Sequence, residues 1–182
     1  MGAERGTAAR RRADAITAGM SAFADHGLTT MAIQRIADEI GVSQPYVFRL
    51  FGNKQAVFQA CLGELEIRIR RMFRQAVATS PDDPLHAMGA AFREFVADGT
   101  MSGLWLQACA VARSDESVAA RCRALISGVL EEAERLTAAT PDDLARFLAN
   151  GALVTVLQAV GADLTGGSQA AVNSLRAAAA TA

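Results

Sequence analysis

Apolar residues recur along this chain at steps of three and four, the spacing that gathers them on one face of a helix. Between about Thr7 and Asp25 they are Ala13, Ile16, Met20, Phe23 and Ala24, and Gly27 supplies a stop, since glycine readily takes the left-handed conformation that ends helices. The spacing predicts a second helix from about Met31 to Ile40, with Thr30 as its cap and Ile33, Ile36, Ala37 and Ile40 on one side. After Gly41, Ser43 is placed to cap a short third helix through about Leu50. Pro45 is tolerated there because first-turn amides have no intrahelical partner to lose. A fourth helix is predicted from near Asn53 to about Ala78.

Further along, "SPDDPL" at 80 to 85 and "TPDDL" at 140 to 144 read as helix starts. Each offers Ser or Thr as a cap, proline near the first turn, and acids against the positive end of the helix dipole. Between them the pattern predicts helices at roughly 84 to 98, 102 to 113 and 116 to 138, with Gly99, Gly103 and "SDES" as the breaks. A helix should extend from Pro141 to about Ala162, and "TGGS" at 165 to 168 separates a final alanine-rich helix. The fold class is therefore all-α.

Composition supports that class and narrows the function. Among 182 residues 51% are hydrophobic and only 5% aromatic; much of the former is alanine, and β-branched runs are scarce, which favours helices over sheets. No basic segment precedes an apolar one at the start, so a cytoplasmic protein without a secretory signal is expected. The apolar run from Leu144 to Leu164 is interrupted by Arg146, Asn150, Thr155, Gln158 and Asp163, so a buried or interface helix suits it better than a membrane span. Cys61, Cys109 and Cys122 are widely spaced and odd in number, which fits neither a disulfide framework nor a zinc site. A redox-sensing thiol stays open beside inert packing.

The net charge is −1, so any nucleic-acid contact must come from local arrangement. The N-terminal third is the basic part, and Arg5, Arg10, Arg11 and Arg12 cluster at its start. They are candidates to reach phosphates; a solvated basic tail is the other reading. His26 and His86 have no partner pattern for a metal, and His26 beside the Gly27 stop suits a helix C-terminus. "GTMSGLW" lacks the strand-to-elbow setting of a hydrolase serine. No Gly-rich phosphate loop lies between a strand and a helix, so neither an enzyme nor a cofactor is expected.

Around Gly41, Ile36, Ala37 and Ile40 precede the turn, and Val42, Val47 and Phe51 follow it. A helix-turn-helix needs this arrangement, because two short helices crossing steeply require a small residue at the crossing, a glycine in the turn and apolar residues locking the angle. The locked angle lets the second helix project into the DNA major groove. An ordinary helical hairpin is the alternative.

The stretches "FADHG", "IADEIGVS" and "PYVFRLFGNKQAVF" together resemble the N-terminal domain of the tetracycline-repressor (TetR) family of transcriptional regulators, over about residues 10 to 60. Beyond residue 60 only the layout of helices agrees. The resemblance implies a helix-turn-helix domain over 1–52 and a ligand-binding and dimerisation domain over 53–182, joined by the long fourth helix. It implies that Gln44, Pro45 and Tyr46 meet base edges, with Thr30, Ser43, Arg49 and Lys54 close to DNA. Gln44 can pair with adenine, the Tyr46 ring can lie on a thymine methyl, and Arg49 can reach guanine or backbone. Lys54, the one lysine among 18 basic side chains, stands at the family's phosphate-contacting position at a helix start.

Four positions depart from the family pattern. Phe48 replaces a tyrosine whose hydroxyl contacts phosphate, and Leu50 a common tyrosine or histidine. Met31 and Ala32 stand where threonines commonly open the second helix, so cap and phosphate contact must come from Thr30 or be lost. The resemblance further implies an unknown small apolar or amphipathic ligand, with Met72, Met88, Phe92, Trp105, Cys109 and Phe147 as candidate contacts; core packing is their other reading. Ala149, Gly151, Ala152, Ala159 and Gly161 fit an isologous dimer seam on the Leu144 to Leu164 helix, or a buried helix in one subunit. The expectation is a repressor that binds a palindromic operator as a homodimer and is released when ligand shifts the spacing of its recognition helices. A helical carrier or enzyme with a structural N-terminal bundle is the competing class.

Overall fold

The structure, a computed structural model, describes residues 2–162, 164, 172–173 and 175–177, with side chains from Thr7 onward. Eight α-helices and no strand are found among the described residues: α1 (Gly2–His26), α2 (Thr30–Glu39), α3 (Gln44–Phe51), α4 (Lys54–Thr79), α5 (Pro84–Val96), α6 (Thr100–Ala112), α7 (Glu116–Thr137) and α8 (Pro141–Ala159). The all-α reading holds, and the breaks other than the one expected at Gly103 fall close to their predicted places. The alanine-rich helix expected over 168–182 lies outside the described residues, except at 172–173 and 175–177.

Four local details differ from the sequence reading. Thr29, not Thr30, caps α2: its side chain accepts from the Ala32 amide at 3.3 Å. Ser43 stands at the start of α3 but makes no side-chain cap bond there. Asp83 rather than Ser80 caps α5, accepting from the His86 amide at 3.2 Å. Gly103 does not break the chain; it lies inside α6, where an added Cβ would sit 3.2 Å from the Ala24 Cβ. Thr140 behaves as predicted and forms a reciprocal capping box with Asp143.

Packing divides the residues into two compact units, Met1–Arg68 with Gly103–Ser127, and Ile69–Ser102 with Gly128–Ala182. Both α4 and α7 contribute to each. In the first unit α1 packs on α2 and α3. Phe23 of α1 meets Phe58 of α4 edge to face, ring centroids 5.0 Å apart, and both are fully buried together with Ile33, Ile36, Val47 and Leu62. Burial of each such side chain contributes about 1.5–3 kcal/mol. Gly19 allows this close approach, because a Cβ there would stand 2.7 Å from the Cys61 sulfur. Arg121 of α7 donates to Glu66 of α4 at 2.7 Å, and Gln59 donates to the Ser117 hydroxyl at 3.0 Å.

The second unit is built on α5 packed against α8. Phe73 meets Phe147 edge to face at 5.5 Å, and Met88 and Val96 are buried. The Gln158 amide accepts from Ser102 at 3.0 Å and donates to the Ala97 carbonyl at 2.9 Å, fastening α8 to the end of α5. Glu132 is a carboxylate only 4% exposed, gripped by Arg70 at 3.1 Å, by Arg74 at 3.3 Å and by Arg135. Burial alone would raise its pKa; the hydrogen bonds from Arg135 and Arg70 and the charges of Arg135 and Arg74 outweigh that and hold it below the usual glutamate value.

Candidate nucleic-acid interface

The turn between α2 and α3 is set by a hydrogen-bond pattern that only a left-handed residue completes. Gly41 has φ +66°. Its amide donates to the Asp38 carbonyl at 3.2 Å, and the Val42 amide reaches back to Ala37 at 2.9 Å. This Schellman arrangement satisfies the end of α2 and turns the chain into α3 within a few residues.

Of the α3 residues, Val47 is fully buried, while Phe48, Leu50 and Phe51 are half-buried. The outer side carries exposed Pro45 and Arg49 and half-exposed Gln44 and Tyr46. These side chains are held rather than loose. The Gln44 amide donates to the Thr30 carbonyl at 3.3 Å, and the Arg49 guanidinium lies over the Tyr46 ring, 4.5 Å from its centroid. Lys54 is the first residue of α4, whose N-terminal amides are partly satisfied by Asn53, accepting from Ala56 at 2.8 Å. Thr30 and Met31 are exposed at the start of α2.

The three neighbouring arginines of α1 are used unequally. Arg10 is exposed. Arg11 instead donates to the Ile40 carbonyl at 2.7 Å and Arg12 to the Leu50 carbonyl at 2.7 Å. Arg12 also covers the Phe51 ring, 4.1 Å from its centroid. The cluster read as a phosphate-reaching set thus spends two guanidiniums inside the domain, on carbonyls that helix ends leave unsatisfied. Neither those bonds nor the Arg49–Tyr46 stack had a signal in the sequence beyond residue type.

The six residues proposed for a ligand are not gathered in one packed unit. Met72, Met88, Phe92 and Phe147 belong to the second unit, Met88 fully buried and the others half-buried. Half-buried Trp105 and exposed Cys109 belong to the first. Burial pushes the Cys61 and Cys122 thiols up, Cys61 to about 12, which works against the thiolate a redox sensor requires. Among the described residues no group of His, Cys, Asp or Glu could hold a metal ion, and no helix is long and apolar enough to cross a membrane.

One further surface is unusual. Along α8 and its C-cap, Leu148, Leu153, Val156 and Val160 are 38%, 47%, 51% and 64% exposed. Ala149, Ala152 and Ala159 are exposed between them, and steps of three and four place these residues along one side of the helix.

A glycine-turned helix pair with a polar outward face on its second helix, packed on an N-terminal helix, is the arrangement of a helix-turn-helix domain. Residues 15–61 match the profile of the bacterial regulatory proteins of the tetR family, so this N-terminal segment is similar to the helix-turn-helix domain of that family. A chain from Mesorhizobium loti MAFF303099, described as a TetR-family transcriptional regulator, shares the fold with TM-score 0.59 and 17% identity, over 85% of this chain and 82% of that one. A TetR-family regulator from Streptomyces coelicolor A3 is 24% identical over 82% of this chain and 78% of its own, with TM-score 0.43. No curated protein matches the chain.

Proposed function

We propose that the protein is a ligand-responsive repressor, non-enzymatic and cytoplasmic, that binds a palindromic double-stranded DNA operator as a homodimer. Residues 1–52 read DNA and 53–182 carry the dimer and ligand surfaces. Gln44, Pro45 and Tyr46 meet base edges in the major groove, and Arg49, stacked on Tyr46, reaches guanine or phosphate. Thr30, Ser43, Arg10 and Lys54 meet phosphates, Lys54 where the α4 dipole already favours an anion. Phe48 supplies no hydroxyl to this set. The observation that carries the reading is the outward face of α3, polar and pre-arranged over buried Val47.

The apolar side of α8 supports the dimer. Contiguous exposed apolar residues of this kind mark association surfaces, and the same stripe on two copies suits an isologous contact. A small apolar or amphipathic molecule held near Met72, Met88, Phe92 and Phe147 releases the DNA by favouring a spacing of recognition helices that the operator does not accept. Selection of duplexes from a randomised library by the purified protein tests the reading. Recovery of an inverted repeat, lost on Tyr46→Ala with folding intact, is expected; absence of any selected sequence would sink it.

A further inference from the structure

An eight-residue helix with one fully buried side chain has little packing to fix its direction, and α3 is such a helix. Polar contacts add to the packing of Val47 and of half-buried Phe48, Leu50 and Phe51. At its first residue Gln44 is tied to the Thr30 carbonyl at 3.3 Å. At its last turn Arg12 donates to the Leu50 carbonyl at 2.7 Å and stands over the Phe51 ring, 4.1 Å from its centroid. The preceding residue, Arg11, donates at 2.7 Å to Ile40, the C-cap residue of α2. Two consecutive side chains of α1 therefore grip the negative ends of both helices of the pair, where unsatisfied carbonyls and the helix dipole favour a cation. The planar guanidinium suits Arg12 to bond a carbonyl and cover a ring together, which a compact ammonium is less suited to do at once.

From this geometry we infer that Arg11 and Arg12 are positioning residues that clamp α2 and α3 onto α1 and fix the tilt of the recognition helix before DNA arrives, leaving Arg10 as the one of the three that meets phosphate. The inference rests on the DNA-binding reading and adds a division of labour within it. Base-edge hydrogen bonds weaken steeply with misalignment, whereas attraction to the phosphate backbone is long-ranged and sequence-independent. Loss of the clamp should therefore lower specific binding and spare non-specific binding.

The probes are the duplex that the wild-type protein selects from a randomised library and a scrambled duplex of equal length, with affinity measured over a range of salt. Arg12→Ala is expected to weaken binding to the selected duplex about tenfold or more, the scale of one lost base contact, with scrambled-duplex affinity and salt slope unchanged. Arg10→Ala should weaken both duplexes alike and reduce the slope by about 1.8, two phosphate contacts per dimer at about 0.9 each. If Arg12→Ala instead behaves like Arg10→Ala, Arg12 contacts phosphate and the clamp is overturned. A DNA-free readout separates this result from failure of the regulator reading: amide hydrogen exchange over 44–51 should quicken in Arg12→Ala and not in Arg10→Ala. Unchanged exchange overturns the clamp even if DNA binds, and a wild type that selects no duplex sinks the regulator reading while exchange still decides the clamp. Should Arg12→Ala fail to fold, Arg12→Lys and Phe51→Leu each remove only the stack. Both should then show a smaller version of the same loss of specificity, and wild-type specificity in both would contradict the inference.

Discussion

Helices α3 and α8 turn opposite chemistries to solvent. The short α3 buries Val47 and shows Pro45, Tyr46 and Arg49; the long α8 shows Leu148, Leu153 and Val156. A polar surface is at home in water, so α3 needs no cover, and the packing of its small buried side is supplemented by hydrogen bonds from Gln44 and Arg12. An apolar surface is the reverse: α8 is anchored by ring packing and by Gln158, yet exposes area that water disfavours. One helix is finished and waits for a polar partner, while the other is unfinished without an apolar one.

Charging the apolar side is the strongest way to break this comparison. Val156→Asp places two carboxylates in an isologous seam, where unpaired burial is prohibitive. Sedimentation should show the dimer replaced by monomer, and operator affinity should fall by about 100-fold or more as the two half-sites cease to be gripped together. On the polar side, Tyr46→Ala removes one base-edge contact and the platform under Arg49. Selected-duplex affinity should fall by about 10- to 100-fold, 1–3 kcal/mol, with the melting temperature nearly unchanged.

Smaller changes sharpen the picture. Lys54→Ala should weaken binding to all sequences alike and reduce the salt slope by about 2, one phosphate contact from each subunit; a shift in base preference would place Lys54 at a base instead. The Glu132 cluster touches neither face and reports on folding. Its carboxyl is held below the ordinary value of 4.5, so its stabilisation is complete above that pH and is lost as pH falls through the lowered folded-state pKa. Glu132→Gln should lower the melting temperature at neutral pH and flatten its dependence on acid below about pH 5.

The course of the chain was legible because periodicity and punctuation agree: Gly27, Gly41 and Thr140 each stop or start a helix where the pattern requires it. The choice of cap was not, since Thr29 and Thr30 are the same residue type in adjacent positions and only the backbone decides which oxygen meets the Ala32 amide. Gly103 misled because a glycine that permits close approach to Ala24 looks, in sequence, like one that ends a helix. At the candidate site, α3 and the place of Lys54 followed from motif and resemblance. The roles of Arg11 and Arg12 did not, because their acceptors, Ile40 and Leu50, lie 29 and 38 residues away and are backbone carbonyls that leave no trace in side-chain identity.

The central claim is that the polar side of α3 meets DNA while the apolar side of α8 meets a second copy. Native mass measurement of the protein bound to its selected duplex tests both at once. Two chains on one inverted-repeat duplex, reduced to no stable complex by Val156→Asp, is the predicted result. A single chain bound with undiminished affinity, or a Val156→Asp variant that still assembles two chains on the duplex, would contradict it.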